Sequence, residues 1–113
     1  MIKLFITGNV GKEPTVHELD WGMTANFHVA SNEIKKNLNG EKVRETTWIQ
    51  CETKGKLAEM VRDHINKGMK LAIIGEYKQR ETENGQHFSY CKVEKIEFLD
   101  SKKKEQTNEL DFL

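Results

Sequence analysis

The feature that most constrains the fold is an alternation of apolar and polar residues that covers most of the chain. The segments with this pattern are residues 2–8, 15–19, 23–31, 44–53, 69–79 and 87–99. A period of two is typical of β-strands that bury one face. The chain is therefore predicted to be mostly β.

One segment has a helical period instead. Residues 56–67 carry apolar side chains at helical spacing, including Leu57, Val61 and Ile65, and Gly68 follows as a predicted C-terminal cap. This helix comes after the third main strand and before the fourth. That order is the topology of the five-stranded Greek-key OB-fold barrel. We predict an all-β chain of this architecture, with one α-helix between strands 3 and 4.

The chain has 113 residues, which fits one ordinary domain. Residues 1–100 are predicted to form the barrel, and residues 101–113 a short disordered tail with an acidic-hydrophobic tip. The net charge is zero, but the residues after Lys104 include three acidic and no basic side chains. Residues 1–104 therefore hold 18 basic and 15 acidic residues, so the predicted domain is slightly basic.

Several classes of protein are disfavoured. The four histidines are scattered, with no metal-ligand spacing to another histidine or cysteine, and no phosphate-binding glycine loop is present. We expect no enzymatic activity, no cofactor, no metal and no small-molecule substrate. The chain has no recognisable signal peptide and no apolar run long enough to cross a membrane. We expect a cytoplasmic protein with Cys51 and Cys91 as reduced, structural side chains.

The most informative aromatic residue is Trp48, which lies on the polar face of its predicted strand beside Gln50 and Glu52. There are two interpretations of an aromatic side chain in that position. It packs under a loop or against another subunit, or it offers a flat surface to a planar ligand.

Six matched stretches, in order and at the right spacing, resemble the bacterial-type single-stranded-DNA-binding proteins. They are residues 8–14, 25–31, 47–48, 55–59, 67–68 and 74–76. The set spans about residues 1–98. The resemblance implies an OB-fold, usually with four protomers (a dimer stays open), that wraps single-stranded DNA around its outside. It also implies a tail whose tip recruits replication and repair proteins.

The resemblance and the positions of the residues together give candidates for three roles. The candidates for base stacking are Trp48, Phe88, Trp21 and Tyr77, although Tyr77 fits the core equally well. The candidates for phosphate contacts, which lie on loops and strands around Trp48, are Lys35, Lys36, Lys54, Lys56, Arg44, Lys78 and Arg80. The candidates for partner docking are Glu109, Leu110, Asp111, Phe112 and Leu113. Lys35, Lys54 and Thr82 stand where the family often has aromatic residues.

The predicted function is sequence-independent binding and protection of single-stranded DNA in replication, recombination and repair. An alternative is a specialised paralogue, of a primosome or a mobile element, that acts mainly as an adaptor for other proteins and binds single-stranded DNA or RNA weakly. A preference for RNA stays open, because contacts to the 2′-hydroxyl leave no motif in the sequence.

Overall fold

The computed structural model describes residues 1–99. Their elements are β1 (Lys3–Val10), β2 (Thr15–Leu19), β3 (Gly22–Lys36), β4 (Lys42–Lys54), α1 (Lys56–His64), β5 (Lys70–Glu81) and β6 (His87–Phe98). The predicted boundary at residue 100 and the predicted tail lie outside this part of the chain.

Five of the strands pair in a closed ring. β1 pairs antiparallel with β5, β5 with β6, and β3 with β4. β4 and β6 run parallel and pair through Cys51–Cys91 and Glu52–Lys92. The ring closes where β1 meets β3 at Val10–Val29, and the short β2 adds to the free edge of β3. This arrangement agrees with the predicted OB-fold barrel. The helix was predicted between main strands 3 and 4, and these are β4 and β5 here because the short β2 has a number of its own.

The core lies inside this ring, where alternate residues of each strand point inward. Phe27 and Ile73 are almost fully buried, and so are Cys51 and Cys91. The apolar face of α1 closes one end of the barrel through buried side chains such as Val61. The hydrogen bond to Cys91 and the burial of the thiol raise the pKa of Cys51, which is therefore a neutral core side chain.

From the sequence, the polar segment of residues 32–42 is expected to form an extended loop with a turn at Asn39-Gly40. The expectation of a loop is wrong. β3 continues to Lys36 and β4 begins at Lys42, so most of this segment is a paired hairpin. Its polar side chains bond to each other across the strands, as in the hydrogen bond of 2.6 Å from Thr46 Oγ1 to Asn32 Oδ1. Such cross-strand pairs stabilise a ribbon that has no apolar face to bury. The predicted turn at Asn39-Gly40 is confirmed.

The helix is also shorter than predicted, because α1 ends at His64 and Ile65 already has an extended backbone. Ile65 is 2% exposed, so its side chain enters the core directly after the helix. Gly68 is not the cap of the helix. It lies in the following turn with a φ of 92°, a conformation that favours glycine.

Candidate nucleic-acid interface

The side chains of β4, β5 and β6 that point away from the core share one surface. Cys51 and Thr53 of β4 are buried, so the residues that alternate with them point outward. The pairings between strands place Glu52 beside Lys92, Lys78 beside Tyr90, and Arg80 beside Phe88. We call this surface the outer face; it comprises Trp48, Gln50, Glu52, Lys54, Glu76, Lys78, Arg80, Phe88, Tyr90 and Lys92.

A groove of about 210 Å³ lies in the middle of the outer face. Four of its side chains are cationic, namely Lys54, Lys78, Arg80 and Lys92. Tyr90 adds an aromatic ring and Glu52 a carboxylate. A concave surface with this excess of positive charge attracts polyanions, because the charges act together on a ligand that lies along the groove.

Arg80 is the best-anchored cation of the groove. Its guanidinium carbon lies 4.5 Å from the ring centre of Tyr90 and 5.3 Å from that of Phe88. Its two terminal nitrogens bond to Glu52, with distances of 2.9 Å from Nη2 to Oε1 and 3.2 Å from Nη1 to Oε2. Glu52, followed by Tyr90, raises the pKa of Arg80, so the guanidinium keeps its charge. The planar group is thus held beside two aromatic rings at the surface.

Trp48 lies on the same face of β4 as Glu52, two outward positions away, and combines both interpretations of its position. Its side chain packs against the loop that follows β1, since a methyl group added at Gly11 would lie only 2.4 Å from Cζ3 of the indole. Lys12 and His28 border the same apolar depression. Trp48 nevertheless remains 58% exposed. A ring that is supported from below and open to solvent is suited to stack on a planar ligand.

The other predicted stacking residues lie in three different settings. Phe88 is half-buried beside Arg80 on the outer face. Trp21 is 66% exposed in the turn between β2 and β3, and Lys54 Nζ lies 6.0 Å from its ring centre. Tyr77 points to the other side of β5, where its hydroxyl lies 2.7 Å from Ser89 Oγ. Phe88 and Trp21 therefore each lie beside a cation of the groove, Arg80 and Lys54, whereas Tyr77 points away from the outer face.

The predicted phosphate contacts are also divided. Lys54, Lys78 and Arg80 line the groove. Lys36 and Arg44 lie on the long β3–β4 hairpin, on the same face as Trp48 by strand alternation. Lys56 is the first residue of α1, close to Lys54 in the chain.

Lys35 points to the opposite face of the hairpin. Its Nζ lies 3.0 Å from Glu45 and 3.7 Å from Glu33. The hydrogen bond and charge of Glu45, together with Glu33, raise the pKa of Lys35. The structure does not bring this residue to the groove.

The sequence prediction omitted four residues that line the groove, of which Glu52, Tyr90 and Lys92 are polar or charged and Val93 is apolar. Tyr90 and Lys92 follow Phe88 at steps of two, so the strand period already places them on the same face. Nothing in the local sequence marks Glu52, because its bonds to Arg80 join residues 28 positions apart. The predicted docking residues, 109–113, lie outside the described part of the chain.

Residues 1–99 lack two kinds of feature. This part of the chain has no cluster of three or more histidine, cysteine, aspartate or glutamate side chains that could hold a metal ion. It also has no helix that is long and apolar enough to span a membrane.

Comparison with known proteins identifies the family. The model of the single-strand binding protein family matches residues 1–99. The chain belongs to this family. The match confirms the predicted class of single-stranded-DNA-binding protein and does not favour the adaptor alternative. It also agrees with the prediction that the chain is not an enzyme, since proteins of this family bind DNA without catalysing a reaction.

Solved structures of this family have the same fold. The chain is similar to the Plasmodium falciparum SSB in its complex with ssDNA, with a TM-score of 0.79, 20% identity, and coverage of 88% of this chain and 96% of that one. It is also similar to the small single-stranded DNA-binding protein from Streptomyces coelicolor, with a TM-score of 0.73, 19% identity, and coverage of 86% of this chain and 91% of that one. A third similar structure is a deletion mutant of the single-stranded DNA binding protein from Thermus aquaticus, with a TM-score of 0.78, 18% identity, and coverage of 88% of this chain and 51% of that one. At these identities the likeness establishes the fold.

Proposed function

We propose that this protein holds single-stranded DNA on its outer face, with bases stacked on aromatic rings and phosphates paired with the cations of the groove. The observation that carries the proposal is the position of Arg80 beside Tyr90 and Phe88, in a groove that three lysines also line. Binding of single strands without a sequence preference needs a positive groove and π-faces, and this surface has both.

The aromatic residues would supply a tolerant contact to the bases. Trp48 is exposed and rests on Gly11, and Tyr90 and Phe88 lie 6.3 Å apart between their ring centres on neighbouring outward positions of β6. Stacking uses the face of a base, which all four bases share, so it does not discriminate among them. We therefore expect binding that is largely independent of base sequence.

The cations would supply the salt-dependent part of the affinity. Each lysine or arginine that neutralises a phosphate releases counterions, so the logarithm of the binding constant falls with a slope of about 0.7 per contact on single strands. Lys54, Lys78, Arg80 and Lys92 line the groove, and Lys36 and Arg44 extend the positive surface along the hairpin. Duplex DNA is too stiff to place its bases on these rings, so we expect a clear preference for single strands.

The proposed oligomer rests on β1. Residues 3–8 pair with β5 on one edge, while β1 meets β3 only at Asn9 and Val10. Phe5 is 71% exposed and lies beside Ile74, which is 39% exposed. A free strand edge next to exposed apolar side chains favours pairing with a second copy. We propose that two copies pair through β1 and that two such dimers form a homotetramer. Light scattering measures the mass of the oligomer.

The remaining parts of the proposal concern the tail and the cell. We propose that residues 109–113 dock on replication and repair proteins, because acidic and apolar side chains together suit a pocket with a basic rim. We also propose a cytoplasmic location, which the free thiols of Cys51 and Cys91 support. Roles in replication, recombination and repair are typical of the family.

The test of DNA binding compares two lysines on opposite faces. Lys78→Gln removes a cation from the groove, and the matched control Lys35→Gln removes one from the opposite face of the hairpin. We measure the affinity of fluorescent oligo(dT) by anisotropy at several salt concentrations, with duplex DNA and oligo(rU) as competitors. Lys78→Gln is expected to weaken binding and to lower the salt slope by about 0.7, while Lys35→Gln changes neither.

Three results would contradict the proposal. If the wild-type protein does not bind oligo(dT), the outer face has a different function. If Lys35→Gln weakens binding as much as Lys78→Gln does, the strand does not follow the groove. If oligo(rU) displaces oligo(dT) at equal concentration, the ligand class is single-stranded nucleic acid in general and RNA is an equal candidate.

A further inference from the structure

One carboxylate lies in the middle of the cationic groove. The side chain of Glu52 is only 14% exposed, and both of its oxygens bond to the guanidinium of Arg80. Gln50 Nε2 donates a further hydrogen bond of 3.1 Å to Oε2. Two lysines lie at outward positions next to Glu52. Lys54 is the next outward residue of β4, and Lys92 is the partner of Glu52 on β6. An acidic residue in this place opposes the attraction of DNA, and the function described above does not use it.

The Arg80–Glu52 pair has the geometry with which an arginine also binds a phosphate. A guanidinium binds carboxylate and phosphate in the same way, by two parallel N–H···O bonds. Glu52 already accepts those two bonds from Arg80. A phosphate of a DNA strand can form them only after the carboxylate has moved away. The two anions therefore compete for one donor pair.

We propose that Glu52 is an internal competitor of DNA phosphate for Arg80, and that it weakens the binding of single strands to the groove. This inference rests on the proposed function, because it assumes that the strand reaches Arg80. The consequence is a protein that releases single strands more readily than its number of cations implies. Removing the carboxylate is expected to tighten binding.

The opposite role for Glu52 would be to hold Arg80 in place for the strand. The surroundings of Arg80 argue against it, because Tyr90 and Phe88 already contact the guanidinium at 4.5 and 5.3 Å. Stacking of this kind fixes a planar cation without help from a carboxylate. Arg80 also remains 48% exposed, so a ligand can approach it from the solvent. We therefore expect Arg80 to stay in the groove when Glu52 is neutralised.

The outer face provides a matched control. Glu76 is another carboxylate of this face, and Lys92 is the strand partner of both Glu52 and Glu76. Glu76 lies 3.9 Å from Lys78, whereas Glu52 bonds to Arg80. Glu52→Gln and Glu76→Gln thus remove the same charge on either side of one lysine. Only the first frees Arg80.

The experiment measures the affinity of oligo(dT) for the full-length wild type, Glu52→Gln and Glu76→Gln across a range of salt concentrations. The pair is partly open to solvent through Arg80, so freeing Arg80 is expected to tighten binding about three- to tenfold once the lost repulsion is added. The salt slope of Glu52→Gln is expected to become steeper by about 0.7, which corresponds to one more neutralised phosphate. Glu76→Gln is expected to tighten binding less than about twofold.

Two outcomes would overturn the inference. If Glu52→Gln binds as tightly as wild type or more weakly, the carboxylate positions Arg80 instead of blocking it. If Glu52→Gln and Glu76→Gln tighten binding by the same factor, the effect is general repulsion and not competition for one donor pair. Glu52→Thr, with a side chain suited to a strand, repeats the measurement if the glutamine variant is unfolded by circular dichroism.

The failure of this inference is distinguishable from that of the proposed function. Wild type that does not bind oligo(dT) contradicts the proposed function directly. If wild type binds oligo(dT) and Glu52→Gln binds it no more tightly, only the inference about Glu52 is wrong. If neither protein binds, both ideas are wrong.

Discussion

The support of Trp48 by Gly11 leads to a prediction that separates the site from the fold. In Gly11→Ala, the new methyl group would lie 2.4 Å from Cζ3 and 2.8 Å from Cη2 of the indole. Carbon atoms pack at about 3.5–4.0 Å, so the ring must move outward by at least about 1 Å. Because Trp48 is 58% exposed, it can move without displacing the core.

The fold itself should tolerate this change. The φ of Gly11 is outside the left-handed region, so alanine fits its backbone. Such replacements stabilise a protein by about 0.4–1 kcal/mol through the unfolded chain, which offsets the lost contact with the ring. We therefore expect a midpoint of thermal unfolding close to that of wild type. The affinity for oligo(dT) should fall, because the ring of Trp48 has moved away from the place where it stacks on a base.

The size of that fall has an upper limit. Trp48→Ala removes the ring, and the loss of one stacked base, about 1–3 kcal/mol, corresponds to a weakening of about 5- to 150-fold. Gly11→Ala displaces the ring without removing it, so we expect a smaller weakening of about three- to tenfold. Adding Gly11→Ala to Trp48→Ala should have no further effect, since the methyl group acts only through the indole.

The assay combines anisotropy with tryptophan emission. Emission is recorded in a Trp21→Phe background, so that the spectrum reports Trp48 alone. A displaced ring is more exposed, and its emission should shift to longer wavelength. Our account of Trp48 would be refuted by a Gly11→Ala protein that has the spectrum and the affinity of the parent.

Two further predictions concern stability and are measured by urea unfolding. Gly8→Ala is expected to destabilise the protein by about 1–3 kcal/mol, because its methyl group would lie 2.4 Å from the backbone oxygen of Ala30, which cannot move aside; an unchanged midpoint would mean that β1 and β3 are further apart than described. Thr53→Val is expected to cost about 1 kcal/mol, because it removes a buried hydrogen bond of 2.8 Å to the oxygen of Ala25; a more stable variant would show that the bond contributes nothing.

The elements that the sequence predicts best are those with an apolar face. The alternation of residues 23–31 and 44–53 marks strands that bury Phe27 and Cys51 in the core, so burial itself produces the pattern. Residues 32–36 pair just as regularly with β4 but bury nothing, and the period is absent from their sequence. Their strand depends on cross-strand contacts such as that between Thr46 and Asn32, which no local pattern predicts.

The candidate site divides in the same way. Trp48 was predicted because a single aromatic residue stands out on a polar face, and the structure leaves it exposed as expected for such a residue. Tyr90 follows from the strand period and was omitted. The bonds between Glu52 and Arg80 require that β4 and β5 both flank β6, a fact of topology and not of spacing.

The groove depends on small residues in the core beneath it. β4 and β6 meet through only two residue pairs, Cys51–Cys91 and Glu52–Lys92, of which the first points inward and the second outward. On the other side of β6, a methyl group at Gly75 would lie 2.5 Å from Cys91 Sγ and 2.5 Å from the oxygen of Lys92. The absence of a side chain at Gly75 and the small size of both cysteines let the strands approach closely. The outward residues of β4, β5 and β6 are thereby brought within reach of each other, and the two cysteines contribute to the interface by their size and not by their thiol chemistry.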